Sequence, residues 1–209
     1  MKRTGWMAAF VALVMVSIAI AAAQAPKGWM VRADRSTSAS DPDAAGTIKF
    51  TTASGGFHAV NPQAAVFWNP ANTASGAYTV KGTFVLQKPS GHTNYYGLIF
   101  GGSDLDNAKQ SYTYFLVAQD GTFLVKKRDG DVNTENVAPK APSDAIKKPD
   151  ASGKSTNALE VRVGADKIDY VVNGKVVHTM PKRGVKTDGV YGIRVNHLLD
   201  VQIEGFGKS

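Results

Sequence analysis

"SYTYFLVAQDGTFLVKKRDG", residues 111–130, sets large apolar or aromatic side chains at nearly every position of two runs joined by Asp120-Gly121. Successive side chains of a strand point to opposite faces, and Asp-Gly between two such runs is a strong hairpin signal. Taken as a two-residue turn, Asp120-Gly121 sets Gln119 opposite Thr122, Leu116 opposite Val125 and Ala118 opposite Phe123. This register predicts a core face of Tyr112, Tyr114, Leu116, Ala118, Phe123 and Val125. The opposite face reads Thr113, Phe115, Val117, Leu124, Lys126 and Arg128, apolar in the middle and basic at one end.

Short strand signals continue on both sides of the hairpin. They include "AYTVKGTFVLQ" (77–87), "YYGLIFGG" (95–102), "ALEVRVG" (158–164) and "GVYGIRV" (189–195). Turn chemistry separates them, at Pro89-Ser-Gly91, Asn173-Gly174 and Asp188-Gly189. No run shows a helical period of helical length, and no repeat of solenoid size is visible. The pattern predicts one all-β domain, a two-sheet antiparallel sandwich over 47–209, preceded by a segment at 24–46 with Trp29 and Met30 as its apolar anchor. Residues 129–157 hold Pro139, Pro142 and Pro149 among many Lys, Asp and Ser, and read as a long loop.

The first 23 residues have the form of a secretory signal peptide: Lys2 and Arg3, then the apolar "MAAFVALVMVSIAIAAA" (7–23), with Ala21-x-Ala23 as the cleavage rule. The competing reading is an uncleaved membrane anchor. Cleavage predicts a mature start at Gln24, a fall in net charge from +7 to +5, no remaining membrane span, and a secreted or periplasmic protein. The chain has no cysteine, which excludes a disulfide framework, a thiolate metal site and a cysteine nucleophile. Its positive charge comes with no basic helix and no aromatic RNA-binding signature, so nucleic acid is not expected as a partner.

At "NALEVRVGADKIDYVVNGKVVHTM" (157–180) and "DGVYGIRVNHLLDVQIEGF" (188–206) the chain resembles the closing half of a concanavalin A-like lectin/glucanase jelly roll. Laminin-G-like modules and secreted bacterial domains of the 3-keto-disaccharide hydrolase-like type share such endings. The resemblance spans about residues 47–206. It implies a jelly-roll sandwich and leaves function open, because this fold carries lectins, hydrolases and adhesion modules alike. The glucanases of that superfamily place Glu-x-Asp-x-x-Glu carboxylates along one strand. Here the only glutamates are Glu135, Glu160 and Glu204, far apart, so that motif is absent and catalysis of the glucanase kind is not expected.

Two candidate sites remain. Asp104, Asp106 and Asn107, in "GGSDLDNAKQ" (101–110), could supply oxygen ligands to Ca²⁺, as in laminin-G-like and lectin relatives; the plainer reading is a turn capped by its own side chains. In "YGIRVNHLLD" (191–200), alternation sends Arg194 and Asn196 away from a core taken by Tyr191, Ile193 and Val195. With Lys126, Arg128 and Phe115 they would make a polar face with an aromatic platform, the mixture a sugar requires. The other reading has the 129–157 loop covering that face. These features predict a non-catalytic binding module for a glycan or cell-envelope component, against a keto-disaccharide hydrolase-like enzyme and a structural or protein-binding accessory domain.

Overall fold

The computed structural model describes residues 25–36 and 39–209, so the signal segment at 1–23 lies outside the described residues. Among the described residues, fourteen strands and no helix follow one another. The first seven are β1 (Met30–Ala33), β2 (Lys49–Ala53), β3 (Gly56–Asn61), β4 (Ala65–Ala74), β5 (Tyr78–Lys88), β6 (Tyr95–Ser103) and β7 (Ser111–Ala118). The rest are β8 (Thr122–Asp129), β9 (Asn133–Pro142), β10 (Ser155–Val163), β11 (Lys167–Val172), β12 (Lys175–Pro181), β13 (Gly189–Val195) and β14 (Leu199–Lys208). They form two antiparallel seven-stranded sheets, β1-β4-β13-β6-β7-β8-β9 and β12-β11-β10-β5-β14-β3-β2. Sheet against sheet, this is the two-sheet antiparallel sandwich that the strand pattern predicts.

The inner faces meet in aromatic pairs that bridge the sheets. Phe50 stacks on Phe67 at 4.3 Å between ring centres, Phe115 lies 5.1 Å from Tyr170, and Phe84 lies 5.8 Å from Tyr96. Around them Leu86, Leu98, Val125, Val161, Ile193 and Ile203 are fully buried. Without a disulfide, this layer is the main source of stability, at roughly 25 cal/mol per Å² of apolar surface removed from water.

The hairpin at 111–130 corrects the predicted register. Val117 faces Phe123, Leu116 faces Leu124 and Phe115 faces Val125. The connection is therefore three residues long. Gly121 closes it at φ +85° and donates its N–H to the Ala118 carbonyl, while Asp120 Oδ1 accepts from the Thr122 N–H and hydroxyl. That is a turn ending in a left-handed glycine, the other loop that Asp-Gly serves. One extra residue leaves Phe123 and Val125 in the core as expected but flips β7. Phe115 and Val117 go to the core, and Tyr112, Tyr114, Leu116 and Ala118 go to the outer face of their sheet.

Two further readings change. The stretch 129–157 is loop only in part: β9 pairs along β8 as the edge of its sheet, with register shifts on either side of Val125, and 143–154 stays without a strand. An edge strand needs only one row of hydrogen bonds, so Pro139 and Pro142 are tolerated there. The 24–46 segment supplies β1, which pairs with β4, and Trp29 packs 4.5 Å from Phe57 and 5.2 Å from Phe50. At the Asn173-Gly174 hairpin a bulge in β12 sets Tyr170 opposite His178 and Asp169 opposite Thr179.

Candidate functional site

The outer face of the β1-to-β9 sheet is unusual for a surface. Strand by strand it presents Arg32, then Val66 and Trp68, then Arg194, then Ile99, then Tyr112, Tyr114 and Leu116, then Leu124, Lys126 and Arg128. Trp68, Ile99, Tyr112, Tyr114, Leu116 and Leu124 form a second buried apolar cluster, separate from the core between the sheets. Arg32, on the edge strand β1, pairs with Asp131 in the β8–β9 turn at the far side, and its Nη1 donates to the Asn107 carbonyl at 2.7 Å. Turns from the far side of the sheet thus reach back over this face to β1 and make it the floor of a hollow.

Within the concavity, Arg128 and Arg194 are each 7% exposed and converge on one carboxylate, Asp34. Arg194 donates to Asp34 at 2.5 Å and to the Tyr112 hydroxyl at 2.8 Å, and its guanidinium lies over the Tyr114 ring, 5.2 Å from the centroid. Arg128 donates to Asp34 and, at 2.7 Å, to the Asp131 carbonyl. Burial opposes the charge on Arg194, but Tyr112, Asp34 and Tyr114 outweigh it and raise its pKa, so the guanidinium stays charged. Burial likewise raises the pKa of Tyr114 against the pull of Arg194, so the phenol stays neutral.

Beside this cluster opens a cavity of about 290 Å³. Asp34, Asn94, Arg128, Arg194, Asn196 and His197 contribute to its wall. Three buried polar atoms of that wall, Asn196 Oδ1 and the Nε of both Arg128 and Arg194, have no hydrogen-bond partner. Most buried polar groups in proteins are satisfied, so three orphans among the residues of one wall set it apart.

Next to the cavity three loops bring a second constellation together. His92 comes from the β5–β6 connection, His197 from the β13–β14 turn and Asp41 from the β1–β2 connection. His92 Nε2 lies 3.0 Å from His197 Nε2 and 2.9 Å from Asp41 Oδ1, and His197 Nε2 lies 3.1 Å from the same oxygen. The Nδ1 of His197 faces Asp43 Oδ1 at 3.1 Å. The supporting backbone is pinned. Gln119 Nε2 donates to the Ser90 and His92 carbonyls, and Asn61 Nδ2 donates to the Val195 carbonyl just before the His197 turn.

Of the residues expected on a binding face, Arg128, Arg194 and Asn196 are brought together on the cavity wall. They do not stand free, because Asp34 engages both arginines and the Asp131 carbonyl accepts from Arg128; of the 129–157 stretch, β9 continues the sheet while Asp131, Val132 and Thr134 line the cavity beside them. Lys126 shares the outer face, opposite Tyr114, outside the cavity wall. Phe115 is corrected: it is fully buried between the sheets and cannot serve as a platform. Tyr114, one residue away, is the aromatic ring on the outer face, where it lies buried beneath the Arg194 guanidinium.

Asp104, Asp106 and Asn107 lie exposed in the β6–β7 turn. Asn107 donates its N–H to the Asp104 carbonyl at 3.1 Å and its side-chain amide to Asp106 Oδ1 at 3.1 Å, and its Oδ1 accepts from the Lys109 N–H at 2.9 Å. The Asn107 oxygen is thus engaged in capping the turn. Among the described residues, the three side chains whose metal-ligating atoms converge are Asp41, His92 and His197. Sequence reasoning missed these three and Asp34. They carry no motif spacing, since His92 and His197 are 105 positions apart, and the one local hint is that His197 directly follows the outward-facing Asn196.

No protein-family model matches the chain, and no curated protein matches it in sequence. Solved structures do match in shape. A carbohydrate-binding module, CBM66, from Bacillus subtilis superposes with a TM-score of 0.61 at 12% identity, covering 87% of this chain and 95% of that one. A protein of unknown function with a galectin-like fold, also from Bacillus subtilis, gives 0.57 at 15% identity, covering 87% and 89%. The carbohydrate recognition domain of Emp46p, in a single-site variant, gives 0.56 at 14% identity, covering 87% of each chain. At such identities the likeness is one of fold.

Proposed function

We propose that this chain is an exported, non-catalytic glycan-binding module that takes a sugar unit of a polysaccharide or cell-envelope component in the concave cavity. The observation that carries the reading is the trio of unpartnered buried atoms, Asn196 Oδ1 and the Nε of Arg128 and Arg194, on one wall beside aromatic side chains. A sugar hydroxyl donates and accepts at once, so vicinal hydroxyls match a wall that offers one acceptor and two donors. The guanidinium groups are already held by Asp34, so little side-chain freedom is lost on binding. A volume of about 290 Å³ lies at the lower end of small-molecule sites and suits a terminal or single sugar residue. The shared architecture with carbohydrate-binding modules and recognition domains agrees with this reading and does not carry it.

The test is a glycan array probed with mature protein, wild type and Asn196→Ala, the best ligand then being titrated in solution. Binding should weaken about 10-fold in the variant, the worth of one good hydrogen bond, with no change in melting temperature. Absence of any glycan signal, or a signal indifferent to Asn196, would remove the proposal. Release of free sugar from the bound glycan would instead favour an enzyme.

A further inference from the structure

We propose that Asp41, His92 and His197 hold a divalent transition-metal ion of the zinc class at the rim of the concave cavity. The inference does not depend on the glycan reading.

The first argument is distance. Metal bonds of about 2.1 Å set at right angles place neighbouring donors about 3.0 Å apart, and set at tetrahedral angles about 3.4 Å apart. The three donor separations here are 2.9, 3.0 and 3.1 Å. They describe three adjacent corners around one ion, closer to right angles than to tetrahedral ones. Three loops from different parts of the chain meet at this spacing, so local sequence did not impose it.

The second argument is hydrogen-bonding chemistry. Asp43 Oδ1 lies where it accepts from an Nδ1–H of His197, and in the neutral ring that tautomer leaves the lone pair on Nε2. Nε2 of His92, the other candidate imidazole ligand, faces both that nitrogen and Asp41, with the Asn94 side-chain amide beside it at 3.0 Å. Two imidazole nitrogens 3.0 Å apart, with a carboxylate oxygen within 3.1 Å of both, gather electron-rich atoms around one point that a positive charge, a proton or a metal ion, must share. His197 is 4% exposed, so water screens that charge poorly.

The third argument concerns selectivity. Two imidazoles and one carboxylate suit zinc and its first-row neighbours, whereas calcium takes six to eight oxygens. Asp43 completes a carboxylate–histidine–metal relay of the kind that orients a ligand and raises its basicity. Asp41 and His197 also line the cavity, so an ion held by them borders the space that Arg128, Arg194 and Asn196 enclose. Three protein donors leave further coordination positions for water or for oxygen atoms of a cavity occupant.

The experiment uses untagged mature protein stripped with a chelator, dialysed and titrated with Zn²⁺ alone, with no glycan present. One equivalent of Zn²⁺ should bind and raise the melting temperature, and the same concentration of Ca²⁺ should do neither. His92→Gln should abolish uptake; because His92 is on an exposed loop, its unliganded melting temperature should equal wild type. Asp43→Asn should weaken uptake about 10- to 100-fold, as loss of a relay carboxylate does. Absence of Zn²⁺ uptake, uptake unchanged in His92→Gln, or a response to Ca²⁺ equal to that of Zn²⁺ would each overturn the assignment. Glycan binding measured in chelator reports separately on the cavity, so either proposal can fail alone.

Discussion

The two sheets have similar inner faces and opposite outer ones. Outside the β12-to-β2 sheet stand Lys81, Thr83, Glu160, Arg162, Asp169 and Thr179, short or charged side chains in simple ion pairs such as Arg162–Glu160 and Lys167–Asp169. Outside the β1-to-β9 sheet stand Trp68, Tyr112, Tyr114, Leu116 and two buried arginines sharing one aspartate. The first is what solvent asks of a sheet with one wet side. The second carries burial, charge and aromatic area that the fold alone does not require. The difference marks the face on which the proposed site lies: there both faces of a strand are dressed as interior.

The largest effect tests the register beneath this comparison. Phe115→Ala should cost about 3–5 kcal/mol in denaturant unfolding, because its ring fills the space between the sheets against Tyr170. A loss below about 1 kcal/mol would put Phe115 on the outer face after all, exchange the two faces of β7, and dissolve the contrast at its source.

A somewhat smaller effect is expected from Asp34→Ala, which strikes only the outer face. The substitution leaves two buried guanidinium groups side by side with no counter-charge. Breaking a buried pair in this way costs about 3 kcal/mol, or a fall of roughly 6–12 °C in melting temperature for a domain of this size. Arg128→Ala combined with Arg194→Ala should also destabilise, since Asp34 is then the buried orphan. An unchanged melting temperature in both variants would mean the arginines stand in water, and the outer face would then be as ordinary as that of the other sheet.

How much of this was legible in the sequence follows from which forces act locally. Alternation along a strand is local, so the outward placement of Arg128, Arg194 and Asn196 and the inward placement of Ile193 and Val195 could be read directly. Loop length is not fixed by Asp-Gly, because a two-residue and a three-residue turn both use a left-handed glycine; that ambiguity alone turned Phe115 and Tyr114 the wrong way round. Prolines say that a row of hydrogen bonds is missing, not that a strand is, so edge strand β9 reads as loop. Asp34, Asp41, His92 and His197 gave no signal because their meeting is produced by the sandwich as a whole, through loops at one end of it. Local pattern named one wall of the cavity, and only the tertiary fold supplied the other.

The smallest effect belongs to the plain face and completes the contrast. Arg162 Nε donates to Glu160 Oε2 at 2.8 Å, two residues away on β10, and Asp169 stands opposite on β11. The hydrogen bond to Glu160 raises the pKa of Arg162 further, but both groups sit in water. Exposed pairs of this kind contribute about 0–1 kcal/mol, because solvent screens the attraction and the ordering of two long side chains offsets what remains. Arg162→Ala should therefore change stability by no more than about 0.5 kcal/mol, and added salt should erase even that. Glycan and metal binding should be untouched, since no Arg162 atom borders the cavity or the histidine cluster. A cost of about 2 kcal/mol or more, measured as Asp34→Ala is measured, would show that an exposed ion pair on one sheet matches a buried one on the other. Burial would then no longer be what separates the two faces.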